Sequence, residues 1–248
     1  MFSGCLGEAN QAEGFQLFFG RPTVAIKTKE LKLDVEGAGS VSALLTSPST
    51  PSACYILAHG AGAGMRHAFM EKVAAGLAER DIATLRYQFP YMENKQGRPD
   101  SPAVAHVAVR AAVAEAARLC PGLPLIAGGK SFGGRMTSQA QAKAPLPGVV
   151  ALAFLGFPLH ADGKPSVERA AHLSDIDIPM LFLQGTRDKL AELSLLEPVI
   201  AKLGTKTMLH KIEGGDHSFA VLKKSGRNNE EALDEVLDSL AGWIRKIA

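Results

Sequence analysis

A chain of 248 residues, 46% apolar and 21% charged, is long enough to close one large domain around a sizeable core, or two small ones. Its formal charge of +2 creates no single-sign field, so composition offers no footprint for nucleic acid or an anionic membrane surface and leaves a small-molecule substrate open. No stretch approaches the ~18 apolar residues of a spanning helix, so no membrane association is expected, and nothing in the composition fixes an oligomeric state.

Residues 1–20, MFSGCLGEANQAEGFQLFFG, lack the basic start and unbroken apolar run of a signal peptide and read as a loosely ordered arm. From residue 21 onward, apolar runs bounded by turns alternate with helical spacing. TVAIKTKELKLDV and SVSALLTS alternate as two antiparallel-type strands, and ACYILAHG is a short buried strand ending in a glycine loop. FMEKVAAGLAER predicts a helix, IATLRYQF a strand, YMENKQGRPDSP (91–102) a loop, AVAHVAVRAAVAEAARL an amphipathic helix and LPLIAGG a further strand. Strand GVVALAFLGF, a helix near Val167 to Leu173, strand PMLFLQG, a helix near Leu195 to Leu203, strand KTMLHKIE and a helix over Asn229 to Ile247 complete the series. No repeat, low-complexity tract or linker interrupts it, so residues 21–248 are expected to form one α/β domain with a mostly parallel, helix-covered sheet.

The three cysteines, Cys5, Cys54 and Cys120, are far apart and share no metal-ligand spacing, so no metal is expected. Cys54 lies in an apolar run and reads as a core residue, which fits a reducing compartment, the cytoplasm.

The stretch GGKSFGG, 128–134, admits two chemistries. A phosphate-binding loop needs glycine five positions before Gly129, but Pro124 starts an apolar strand there, leaving no loop to wrap a phosphate. The alternative is a nucleophile elbow, in which Ser131 sits on a sharp strand-to-helix turn flanked by Gly129 and Gly133. Such a serine needs a base and an orienting carboxylate, in the chain order Ser, Asp, His. Asp188 follows strand PMLFLQG and His217 follows strand KTMLHKIE, both at carboxyl ends where ligand sites of open α/β sheets gather. Asp216 is the competing acid, disfavoured because a neighbouring side chain reaches the His217 imidazole awkwardly. The oxyanion donors are expected from Phe132, after the nucleophile, and from the loop AHGAGAG, with Ala61 first and Gly62 second.

Other polar residues read more plainly. His106 and His210 fall inside a predicted helix and strand and read as structural or surface residues, and His59 as a brace for its glycine loop. Gly62, His67 and His160 lie in loops after strands and are substrate-binding candidates. Lys130 and Arg135 are cations beside Ser131 that could draw an anionic group, although a helix salt bridge accounts for Arg135 equally.

The motifs HGAGAGM, FPYM, GGKSFGGRM, GFPLHADGKP, LQGTRD and GGDHSF together resemble the α/β-hydrolase superfamily, and within it the small dienelactone-hydrolase-like predicted hydrolases, relatives of the testis-expressed hydrolase-like proteins. The likeness runs from about residue 40 to the end. It implies a Ser131, Asp188, His217 triad on an eight-stranded sheet, working without a cofactor. The chain departs from dienelactone hydrolases proper in carrying Ser131 where they use cysteine. The resemblance also leaves a non-catalytic interaction protein, a peptidase or an acyltransferase as alternatives to a hydrolase of small esters or thioesters. Residues 157–178 are too few for a large lid, which predicts an open cleft and a small acyl group.

Overall fold

The computed structural model describes residues 25–247; the arm expected over 1–20 lies outside the described residues. Lys27–Val35 (β1) and Gly39–Ser47 (β2) form an antiparallel hairpin with Val35 opposite Gly39. Then follow Ala53–Ala58 (β3), Ala68–Ala78 (α1), Ile82–Tyr87 (β4), Pro90–Glu93 (α2), Pro102–Leu119 (α3), Leu125–Lys130 (β5) and Phe132–Lys143 (α4). Val149–Leu155 (β6), Met180–Gly185 (β7), Leu193–Leu203 (α5), Thr207–Ile212 (β8) and Asn229–Ile247 (α6) complete the chain. The eight strands join in the order β1-β2-β4-β3-β5-β6-β7-β8, parallel except where β2 meets β1 and β4.

Every residue of β3, β4, β5 and β7 is buried, as expected of strands covered on both faces. Strand pleating sorts them: Ala53, Tyr55 and Leu57 pack into the core under α1 and α6, whereas Cys54, Ile56 and Ala58 pack into the core that holds α3 and α4. Strand β3 pairs with β4 on one side and β5 on the other, so successive connections leave it in opposite directions. That reversal opens a crevice at the carboxyl ends of β3 and β5.

Two predicted elements differ. The helix expected near 167–173 is a 3₁₀ helix, Glu168–Asp175. A 3₁₀ turn rises ~2.0 Å per residue against ~1.5 Å in an α-helix, so the short link from β6 to β7 covers more ground with the same residues. The loop expected over 91–102 begins inside a helical turn, α2, with Pro90 at its first position, where no N–H is needed. Its Glu93 is fastened by the Lys32 ammonium at 2.8 Å and by the Ser42 hydroxyl at 2.9 Å. Residues 156–179 hold an isolated bridge, Ala161 to Lys164, and the 3₁₀ helix, but no lid.

Candidate active site

Ser131 stands between β5 and α4 with φ 50° and ψ −115°, a left-handed conformation unusual for a side chain with a Cβ and costing of order 1–3 kcal/mol. Its flanking glycines explain how the turn fits. A Cβ on Gly129 would lie 2.2 Å from the Ala58 carbonyl oxygen, and one on Gly133 would lie 2.6 Å from it, so only glycine lets the elbow press against the end of β3. Pro124 and Leu125 lead directly into the buried strand, and no phosphate loop forms there.

Asp188 and His217 meet beyond the ends of β7 and β8. Asp188 is 3% exposed and its carboxylate accepts three hydrogen bonds: from Leu190 N to Oδ1 at 2.8 Å, and to Oδ2 from His217 Nδ1 at 2.7 Å and Gln184 Nε2 at 2.5 Å. Because a carboxylate only accepts, this contact puts the imidazole proton on Nδ1 and leaves the lone pair on Nε2. His217 Nε2 is buried without a hydrogen-bond partner among the described residues. Ser131 and His217 line the same cleft, of about 300 Å³, and no hydrogen bond joins Oγ to Nε2. Such contacts are often long before substrate enters. Asp216, the competing acid, spends Oδ1 on its own loop, accepting from Ser218 N at 2.8 Å and Ala220 N at 2.9 Å.

The glycine loop after β3 is held from below. His59 is fully buried; its Nε2 accepts from Phe89 N at 3.0 Å, so the proton sits on Nδ1, which donates to the Gly60 carbonyl at 2.8 Å. Burial drives its pKa down to about 4, outweighing the opposing bond to Gly60, and keeps this tautomer neutral. The Tyr91 hydroxyl donates to the Ala61 carbonyl at 2.7 Å, and Tyr91 and Phe89 pack edge-on against Phe132 at 6.2 and 5.3 Å. Neither the Ala61 N–H nor the Phe132 N–H is taken by another residue among the described residues. Phe132 opens α4, at the positive end of the helix dipole.

The remaining sequence candidates fall in different places. Gly62 and His67 line the cleft with Ser131 and His217, and His67 also caps α1 by accepting from Phe69 N at 3.2 Å. His160 is buried and lines neither cleft beside Ser131; its carbonyl accepts from Arg169 Nη1 at 2.9 Å. Lys130 is buried but also lines the cleft with Ser131 and His217; its ammonium donates to the His217 carbonyl and lies 5.9 and 5.7 Å from the Phe69 and Phe219 ring centroids. Burial pushes its pKa down to about 8 against the attraction of Asp188 and Asp216. The cation therefore ties the His217 loop to the elbow strand. Arg135 sits one turn along α4 and makes no ion pair among the described residues, so the expected helix salt bridge is not formed.

Three residues escape the sequence reading: Gln184, Tyr91 and Arg169. Gln184 carried a legible sign, a lone amide in the otherwise apolar strand PMLFLQG. Among the described residues no group of three His, Cys, Asp or Glu side chains is placed to hold a metal ion. No helix among them is long and apolar enough to cross a membrane.

A family model described as alpha/beta hydrolase domain matches residues 51–245, most of the chain and the elements from β3 into α6. The chain belongs to the alpha/beta hydrolase family. Membership supports hydrolase activity, and solved structures share the fold at low identity. A dienelactone hydrolase from Anabaena variabilis is 20% identical with a TM-score of 0.71, the match covering 90% of this chain and 98% of that one. An α/β serine hydrolase without a lid, from Xanthomonas campestris, is 19% identical with a TM-score of 0.69, covering 88% and 95%. An α/β serine hydrolase homologue from Coxiella burnetii is 20% identical with a TM-score of 0.69, covering 89% and 97%. The first of these fits the dienelactone-hydrolase-like resemblance carried by the motifs of this hydrolase-family chain.

Proposed function

We propose that the protein is a serine hydrolase of small carboxylic esters or thioesters, working through an acyl-enzyme on Ser131. The observation that carries this reading is the Asp188–His217 pair at 2.7 Å, which leaves a bare Nε2 in the cleft that Ser131 lines. His217 Nε2 takes the Ser131 proton as Oγ attacks the substrate carbonyl; the new C–O bond pushes negative charge onto the carbonyl oxygen, which the Ala61 and Phe132 N–H groups stabilise. Collapse breaks the bond to the leaving group, which receives that proton from His217. Water then repeats the sequence on the acyl-enzyme and frees the acid. Asp188 holds the tautomer and offsets the imidazolium charge.

Proton delivery fixes the direction in which substrate lies. The leaving group belongs on the His217 side, in the cleft with Gly62 and His67. The acyl group belongs on the other side of Ser131, in a cleft of about 470 Å³ lined by Phe132, Arg135 and Arg169. With no lid between β6 and β7, both clefts open to solvent and favour short acyl groups. The buried free thiols of Cys54 and Cys120 support a cytoplasmic setting.

A fluorophosphonate probe followed by peptide mapping tests the reading. One adduct, on Ser131 and lost in Ser131→Ala, is expected; labelling elsewhere, or none on folded protein, would overturn it.

A further inference from the structure

The acyl cleft carries two arginines without a counter-ion. Arg135 and Arg169 both line it beside Ser131, and among the described residues no carboxylate oxygen lies within ion-pair distance of either. Elsewhere Arg66 pairs with Glu30, Arg80 with Asp234 and Asp238, Arg118 with Glu115 and Arg227 with Glu235, while the exposed Arg98, Arg187 and Arg245 make no ion pair among the described residues. Arg135 is half buried, and its Nε has no hydrogen-bond partner. Arg169 gives one N–H to the His160 carbonyl at 2.9 Å and keeps the rest of its fork unassigned.

Holding two cations together in a partly desolvated site is unfavourable. Burial, then the nearness of Arg169, lowers the pKa of Arg135. The same field reaches His172, driven down to about 4 by burial first and Arg135 second, so the neighbouring imidazole stays neutral. Two aspartates share the cleft, neither within 4.0 Å of a guanidinium nitrogen. Asp100 accepts from Tyr91 N at 3.1 Å, and Asp162 is exposed. Both guanidiniums are meanwhile held in place. Arg135 lies 6.0 Å from the Phe132 ring centroid, and Arg169 is anchored on the His160 carbonyl. A fixed pair of planar donor forks suits a carboxylate, which accepts from such forks two bonds at a time.

We propose that the acyl cleft selects acyl groups ending in a carboxylate, making monoesters of short dicarboxylic acids the preferred substrates. This rests on the acyl-enzyme reading of Ser131. Arg135 is one helical turn on from Ser131 and lines the same small cleft, which calls for a short dicarboxylic acid of about the size of glutarate.

The test compares monomethyl glutarate with its uncharged isostere, methyl 4-carbamoylbutanoate, by titrating released acid. Charge-assisted contacts predict a kcat/KM ratio of about 10 to 100 in favour of the anion, collapsing toward one in Arg135→Gln and in Arg169→Gln. Equal rates on the two esters in the unaltered protein would overturn the proposal, as would a ratio that survives both substitutions together. Calorimetry of glutarate against Ser131→Ala protein reads the cleft without chemistry. Binding weakened at least about tenfold by either arginine substitution supports the proposal even if no ester is cleaved, and absence of binding overturns it.

Discussion

Replacing Asp188 by Asn is the most searching perturbation of the proposed machinery, because the carboxylate is surrounded by donors alone. Leu190 N reaches Oδ1 at 2.8 Å, while Gln184 Nε2 and His217 Nδ1 reach Oδ2 at 2.5 and 2.7 Å. An amide has one accepting end. Turning its NH₂ toward Leu190 would set two N–H groups against each other on a backbone that cannot rotate. The amide oxygen therefore stays with Leu190, and the NH₂ faces Gln184 and His217. The imidazole answers by moving its proton to Nε2, where it can no longer accept from Ser131. A histidine held in that tautomer loses a factor of about 10⁴ in kcat, which is about 5.4 kcal/mol of transition-state stabilisation. The polar mismatch itself costs about 1–3 kcal/mol of folding stability, so the variant remains folded. Asp216→Asn should do far less, since an Asn oxygen can still accept from Ser218 N and Ala220 N as Oδ1 does now. Hydrolysis of p-nitrophenyl butyrate, with the folded fraction checked by circular dichroism, decides. More than a tenth of the original kcat in Asp188→Asn, or a deeper loss in Asp216→Asn, would refute the assignment.

Gln184→Leu strands two buried groups, the Phe157 N–H that now donates to Oε1 at 2.9 Å and one lone pair of Asp188. Urea denaturation should show a loss of about 2–4 kcal/mol and steady-state kinetics a fall in kcat of about tenfold with little change in KM. Lys130 has a folded pKa of about 8 against an ordinary value of 10.5, so the folded protein releases this proton first. The cost of burying the charge is complete below pH 8 and is relieved as pH rises toward 10.5, where the unfolded chain still binds the proton. Unfolding free energy of the unaltered protein should therefore climb by up to about 3 kcal/mol relative to Lys130→Met across that window, and parallel curves would contradict the burial argument. On uncharged p-nitrophenyl esters, kcat/KM should peak at about two to six acyl carbons, because an open cleft encloses only the first methylenes at roughly 0.8 kcal/mol each; a profile still rising at twelve would contradict the absence of a lid.

The sheet and the candidate residues Ser131, Asp188 and His217 were legible because each obeys a rule that acts along the chain. Strands covered on both faces must be apolar throughout, which made β3, β5 and β7 readable as short runs. A nucleophile on a strand-to-helix turn needs glycine on both flanks, and partners placed at later strand ends appear in a fixed order. What escaped depends on contact across the fold. Nothing in the sequence announces that Tyr91 will hold the Ala61 carbonyl or that Arg169 will share a cleft with Arg135. The 3₁₀ helix over Glu168–Asp175 escaped for a related reason, since the span it must bridge is set by where β6 and β7 stand.

Lys130 marks the boundary between the two kinds of information. Read by its position beside Ser131, it is a cation for the substrate. Read by strand parity, it shares a face with Ile126, and that face packs under α1 and α6, where Phe69 and Phe219 also lie. Parity wins, because turning the side chain toward the other face would break the pairing register of β5 with both neighbours. Arg135 follows no such constraint. It lies beyond the strand, on a helix whose Phe132, Gly133 and Met136 are buried while Arg135 stays half exposed, so its charge remains available to the cleft. Of the two cations beside the proposed nucleophile, the fold commits one to holding the His217 loop and leaves the other to meet an anion.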